Sequence, residues 1–198
     1  MANRSYLYAL NGVPAPSVSA DALEVTGISE FGYYVPLVYK LLVSSDARAC
    51  QSLIWSGGEQ TAIIGSYAGG VERLRAFLQR IEHPAAAPLI SATFEFLALE
   101  RNQRKYFLLE AAETFFMSDD PLELQNAELL NEIRQLEPTL EPLPILADAA
   151  RPTSWFARLF PLSPKALEEP LLELGLGYWS DTLYFDPRQA DSEEDENP

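Results

Sequence analysis

No Gly or Pro interrupts the chain between Pro88 and Met117, a stretch dense in Phe and Leu (PLISATFEFLALERNQRKYFLLEAAETFFM). Without breakers such a stretch has to form regular elements, and their type decides the fold class. Phe94, Leu97 and Ala98 share one helical face, as do Leu108, Ala111, Ala112 and Phe115. Arg101, Asn102, Gln103, Arg104 and Lys105 form a polar interruption between them. A continuous helix of about 28 residues would span about 42 Å, long for a chain of this size. The spacing therefore predicts two helices meeting near Asn102. A single helix with a wet middle and a short strand around Tyr106 to Leu109 are the competing assignments.

The flanking segments mix periods. Ser5 to Leu10 alternates Tyr6, Tyr8 and Leu10 against Leu7 and Ala9, which predicts a strand apolar on both faces. Asn11-Gly12, with Pro14 and Pro16, makes a turn and loop, and Gly27 to Glu30 reads as another break. Tyr34, Leu37 and Leu41 have helical spacing, with Pro36 suited to the first turn. Cys50–Ser56 and Gln60–Gly65 flank Gly57-Gly58 as a predicted hairpin. Val71, Leu74, Phe77, Leu78 and Ile81 form an amphipathic helical stripe. Asp120-Pro121-Leu122-Glu123 reads as a capped helix start, carried by Leu122, Leu129, Leu130, Ile133 and Leu136. Glu137 to Pro152 is a proline-rich loop lying on the body. Ser154 to Phe160 is a helical turn, and Ser163-Pro164 opens a helix that Pro170 kinks or splits. Tyr178 to Phe185 alternates like the first strand.

The expected architecture is α+β: a small antiparallel sheet including the N- and C-terminal strands, covered by a predominantly helical middle. Residues 1–186 form one globular domain, and the acidic tail, 187–198, is disordered.

Charge narrows the class of partner. Twenty-nine acids against fourteen Lys and Arg give −15, and without the five acids of the tail the remainder still carries −10. A field of that sign repels nucleic acid and anionic membrane and hastens encounter with a basic protein. No run reaches the roughly 18 apolar residues of a membrane span, and the N-terminus has no signal-peptide core. A cytoplasmic protein is expected, of unspecified oligomeric state.

The residues exclude much chemistry. His83 is the only histidine and Cys50 the only cysteine. No HExxH, CxxC or GxSxG spacing occurs, so a zinc site or a catalytic triad lacks its parts. Gly65 and Gly70 have the spacing of phosphate-loop glycines, but Val71 and Glu72 stand where Lys and Ser or Thr belong. A tight strand-to-helix connection accounts for those glycines. The acid pairs Asp119-Asp120 and Glu168-Glu169 point to different sides of a helix and cannot act as a pair. No catalytic, cofactor-binding or metal residue is assigned.

The opening Asn3-Arg4-Ser5-Tyr6-Leu7-Tyr8 and the closing run from Leu176 to Phe185 resemble an uncharacterised bacterial family whose members begin with an N-R-S-Y-L-Y run. The resemblance implies a bacterial cytosolic protein and brings no activity or site residue. The reading the sequence supports is a non-catalytic acidic binding protein, of immunity or inhibitor type, neutralising a basic toxin or enzyme. Its expected interaction surface draws on Trp155, Trp179, Arg101, Arg104, Lys105, Glu168 and Glu169. The alternatives are a regulatory protein and a hydrolase-like enzyme holding a divalent metal with Glu95, Glu100, Glu110 and Glu113.

Overall fold

Five strands form one antiparallel sheet in the order β2-β1-β5-β4-β3. They are β1 (Arg4–Leu10), β2 (Thr26–Gly32), β3 (Arg48–Cys50), β4 (Ala62–Ser66) and β5 (Tyr106–Glu110). The helices are α1 (Leu37–Val43), α2 (Tyr67–Leu78), α3 (Ala87–Leu97), α4 (Ala112–Phe115), α5 (Leu122–Arg134) and α6 (Pro164–Glu173). The structure, a computed structural model, describes residues 3–15, 17–55, 60–81, 86–136 and 164–187, without the side chains of 164–168. The mixed α+β class is as expected.

The two faces of the sheet carry separate cores. Leu7, Ala9, Ile28, Ile63, Phe107 and Leu109 face the helical layer, which contributes Tyr39, Leu42, Leu74, Phe77, Leu97, Ile133 and Leu171. Tyr6, Tyr8, Leu10, Cys50, Ala62, Ile64 and Leu108 face the other way, under Leu23, Val25, Leu53, Ile54, Leu183 and Phe185 from loops. Alternation along β1, β4 and β5 sends apolar side chains to both faces, as three inner strands of a doubly covered sheet require. Helices thus cover one face and loops the other.

The centre of the Pro88–Met117 stretch is the middle strand of this sheet. β5 pairs with β1 on one side and β4 on the other, so the second predicted helix is corrected to a strand followed by the short α4. The side chains at 106 to 109 (Tyr, Phe, Leu, Leu) pack on both faces of a pleat, and this outweighs the helical spacing of Leu108, Ala111 and Ala112. Asn102 makes the turn between α3 and β5. It is buried, and its amide donates to the Phe96 carbonyl at 2.8 Å. A second correction concerns β2, which occupies the segment read as a break. Gly27 belongs to the strand because Leu183 and the Asp181 carbonyl crowd the place of a side chain there.

The expected C-terminal strand is replaced by one isolated bridge, Ser29 to Trp179, with Ser180 N–H donating to the Ile28 carbonyl. Gly177, at φ 86°, turns the chain just before it. After it, Ser180 Oγ donates to the Thr182 carbonyl and accepts from Thr182 N–H, closing a local turn instead of continuing a ladder. At α5 the N-cap is Pro121, with no side-chain cap, and the Asp120 carboxylate accepts from Ser118 Oγ instead of capping the helix. Gly65 and Gly70 are where α1 lies against β4 and α2: a side chain at either would collide with the Val43 or Leu42 carbonyl. β4 runs into α2 without an intervening residue. The hairpin turn at Gly57-Gly58, His83, the proline-rich loop and the Ser154 to Phe160 turn lie outside the described residues, as does all of the tail after Pro187.

Candidate binding surface

Two short segments converge at one end of the loop-covered face: the turn after β3 and the connection from α4 to α5. In the first, Ser52 Oγ accepts from the backbone N–H of Ile54 at 3.0 Å and of Trp55 at 2.8 Å, which fixes the direction of Trp55. In the second, Phe116 follows α4, and Gln125 ties the connection down by donating to the Phe115 and Asp120 carbonyls. Trp55 and Phe116 meet edge to face, with ring centroids 5.2 Å apart. Phe116 and Met117 are each 53% exposed, and Trp55 is 38% exposed. Asp119, Asp120 and Glu123 follow directly in sequence, all exposed. None of the three has an ion-pair partner among the described residues. The result is an apolar anchor of indole, phenyl and thioether beside uncompensated negative charge.

Beneath this surface lies an ionisable row. Tyr6, Glu110, Ala62 and Cys50 stand side by side across β1, β5, β4 and β3. Glu110 is 1% exposed. Its Oε1 accepts from Leu53 N–H at 2.7 Å, and its Oε2 has no hydrogen-bond partner. Burial pushes its pKa up to about 7, against which the Leu53 N–H and the Ser52 hydroxyl stabilise the charged form. Ala62 leaves only a methyl between Glu110 and Cys50. Burial and the Glu110 charge both push the Cys50 thiol up, so it is no nucleophile. At the rim, Glu113 on α4 accepts from Arg4 N–H at 2.9 Å and from Tyr6 Oη at 3.0 Å. Burial and that carboxylate raise the Tyr6 phenol.

Five of the expected interaction residues have described side chains: Arg101, Arg104, Lys105, Trp179 and Glu169. Arg101 pairs with Asp181 at 3.2 Å, both exposed. Arg104 donates to the carbonyls of Glu24, Glu100 and Gln103 and to Thr26 Oγ1, so it staples the start of β2 to the turn before β5. Lys105 is exposed. Trp179 is half-buried, donating from Nε1 to Thr93 Oγ1 at 3.0 Å and stacking on Phe96 at 5.9 Å. Glu169 is exposed on α6, whereas Trp155 and the Glu168 side chain lie outside the described residues. Of the acids proposed as metal holders, Glu95 is exposed and accepts from Ser91 Oγ, and Glu100 is exposed at the turn after α3. Glu110 and Glu113 are engaged as described. No group of three or more His, Cys, Asp and Glu among the described residues could hold a metal ion.

A second aromatic cluster flanks β2, where Phe31 meets Tyr34 at 4.9 Å and Tyr178 at 5.2 Å, with Tyr33 and Tyr184 exposed nearby in the chain. Two ion pairs lie in these segments: Arg4 with Glu30 at 3.4 Å, and Arg101 with Asp181. No helix among the described residues is long and apolar enough to cross a membrane.

Residues 12–151 match a family model described as a domain of unknown function (DUF7822). That span takes in β2 to α5 and both halves of the Trp55–Phe116 surface, and it leaves out the two terminal runs, 3–8 and 176–185. No curated protein and no solved structure matches the chain.

Proposed function

We propose, for a chain that belongs to the DUF7822 family of domains of unknown function, a non-catalytic role: an acidic bacterial cytoplasmic protein that binds and neutralises a basic protein, in the manner of an immunity protein or inhibitor. The observation that carries this reading is the exposed Trp55–Phe116–Met117 cluster beside Asp119, Asp120 and Glu123, exposed carboxylates with no ion-pair partner among the described residues. Interface energy concentrates in a few anchors, with Trp enriched among them, while rim charge sets encounter rate and partner choice. A molecule of net charge −15 adds a long-range field of the same sense.

The test is co-purification from the source cell at low and high salt, with the wild type, Phe116→Ala and Asp119→Lys/Asp120→Lys side by side. The expected result is a basic protein held at low salt by the wild type, released at high salt, and lost from both variants. Retention of the same proteins by the wild type and both variants would overturn the assigned surface. Absence of any basic protein, together with a gene neighbourhood that encodes no toxin, would overturn the inhibitor reading itself.

A further inference from the structure

Glu110 is a buried carboxyl whose Oε2 has no hydrogen-bond partner among the described residues. Glu110 belongs to the middle strand, where ladders to β1 and β4 hold the backbone on both sides. The segment over it, residues 51–55, belongs to no strand. Among the described residues its hydrogen bonds are the one from Leu53 N–H to Glu110, a contribution of the Ser52 hydroxyl to the same carboxyl, and two internal ones to Ser52 Oγ. Leu53 and Ile54 are only half-buried. Local opening therefore costs far less in this segment than in the sheet.

We propose that Glu110 is a pH-dependent latch on the 51–55 segment, closed while the carboxyl is neutral and opening as it ionises, because only opening brings water to Oε2. Among the described residues, the groups around Glu110 offer no countercharge to keep an ionised carboxyl buried. From β1 it is faced by the phenols Tyr6 and Tyr8, from β3 by the Cys50 thiol, and from α4 by the Glu113 carboxylate at the far side of Tyr6. Arg48, on β3, has its guanidinium over the Tyr106 ring at 5.4 Å. Burial places the titration near neutrality, so the latch operates over the physiological range. The consequence for Trp55 rests on the binding-surface reading: opening moves one half of the Trp55–Phe116 anchor, so partner affinity falls as pH rises. The latch itself is a property of the free protein.

Amide hydrogen exchange by NMR on the unbound protein at pH 6 and pH 8 tests it. Rates are divided by the intrinsic base-catalysed rate to give protection factors. The protection of the Leu53 amide falls about tenfold across that interval, the linkage expected for a carboxyl titrating near 7 when closed and near its ordinary value when open. The Leu108 amide in β5, opened only by global unfolding, starts from a far higher protection and shares the fall through the same linkage, and Glu110→Gln abolishes the fall at Leu53. Equal protection of Leu53 at both pH values in the wild type, or the same fall in Glu110→Gln, would overturn the latch. Should Glu110→Gln not fold, Leu53 protection far below that of Leu108 at both pH values supports local opening, and equal protection of the two amides would overturn the latch. Loss of partner binding in Phe116→Ala is a separate measurement, so the latch and the binding surface stand or fall independently.

Discussion

Glu110 couples the stability of the fold to pH. Its carboxyl titrates near 7 when folded and near 4.5 when unfolded, so the unfolded chain gives up the proton first as pH rises. A raised carboxyl pKa therefore lowers stability progressively between about pH 4.5 and 7, and the loss is complete above that window. At about 1.4 kcal/mol per unit, the loss amounts to about 3 kcal/mol. Glu110→Gln, which keeps the shape and removes the charge, gains relative to the wild type by that amount between pH 4.5 and 8. Urea midpoints of the two proteins, measured at both ends of the window, check it. An unchanged difference would mean that Glu110 is hydrated in the folded state. The sequence contained a signal for this residue: in FLLEAA an acid closes an otherwise apolar run. Read at helical spacing the acid belongs to a solvated face, and read at the period of a strand it falls in the row of Leu108 and Tyr6.

The elements make a different point about the Pro88–Met117 stretch. Phe107 is fully buried and stacks on Tyr67 at 4.2 Å, whereas Phe94 is half-buried beneath the Arg75 guanidinium at 4.1 Å. Phe107→Ala should cost about 3–5 kcal/mol, and Phe94→Ala about 1 kcal/mol, since much of its ring is already wet. The ordering of the two denaturation midpoints tests the assignment of β5, because a helical hairpin here would place Phe94 in the core. Gly70→Ala should cost about 3 kcal/mol through collision with the Leu42 carbonyl, read as a lowered denaturation midpoint. Strong local patterns such as β1 and α2 were legible because one period dominates each. β5 was not, because Leu108, Ala111 and Ala112 satisfy a helical face until pairing with β1 and β4 decides otherwise. β2 was hidden by Gly27, whose absent side chain serves a contact with residues 181 and 183, far along the chain. The C-terminal run has the alternation of a strand, but Gly177 and the Ser180 turn leave it a single bridge.

At the scale of the whole molecule, charge was legible from composition, but its placement was not. The basic run at Arg101 to Lys105 is partly engaged by Asp181 and by backbone carbonyls, while Lys105 stands exposed. Exposed carboxylates with no ion-pair partner among the described residues stand beside the Trp55–Phe116 pair, an arrangement that needed the β3 turn and the α4–α5 connection to be brought together in space. This division of labour predicts how binding responds to each substitution. Asp119→Lys/Asp120→Lys changes the rim, so the association rate with the partner should fall about tenfold at low salt and approach the wild-type value at high salt. Phe116→Ala removes part of the anchor, so its effect should appear as faster dissociation at every salt concentration. Both sites are exposed, and folding stability should stay within about 0.5 kcal/mol of wild type in each variant. Surface-bound partner association measured across a salt series separates the two effects. A rim variant that altered dissociation alone would show that Asp119 and Asp120 are desolvated in the complex, and the surface would then extend over the start of α5.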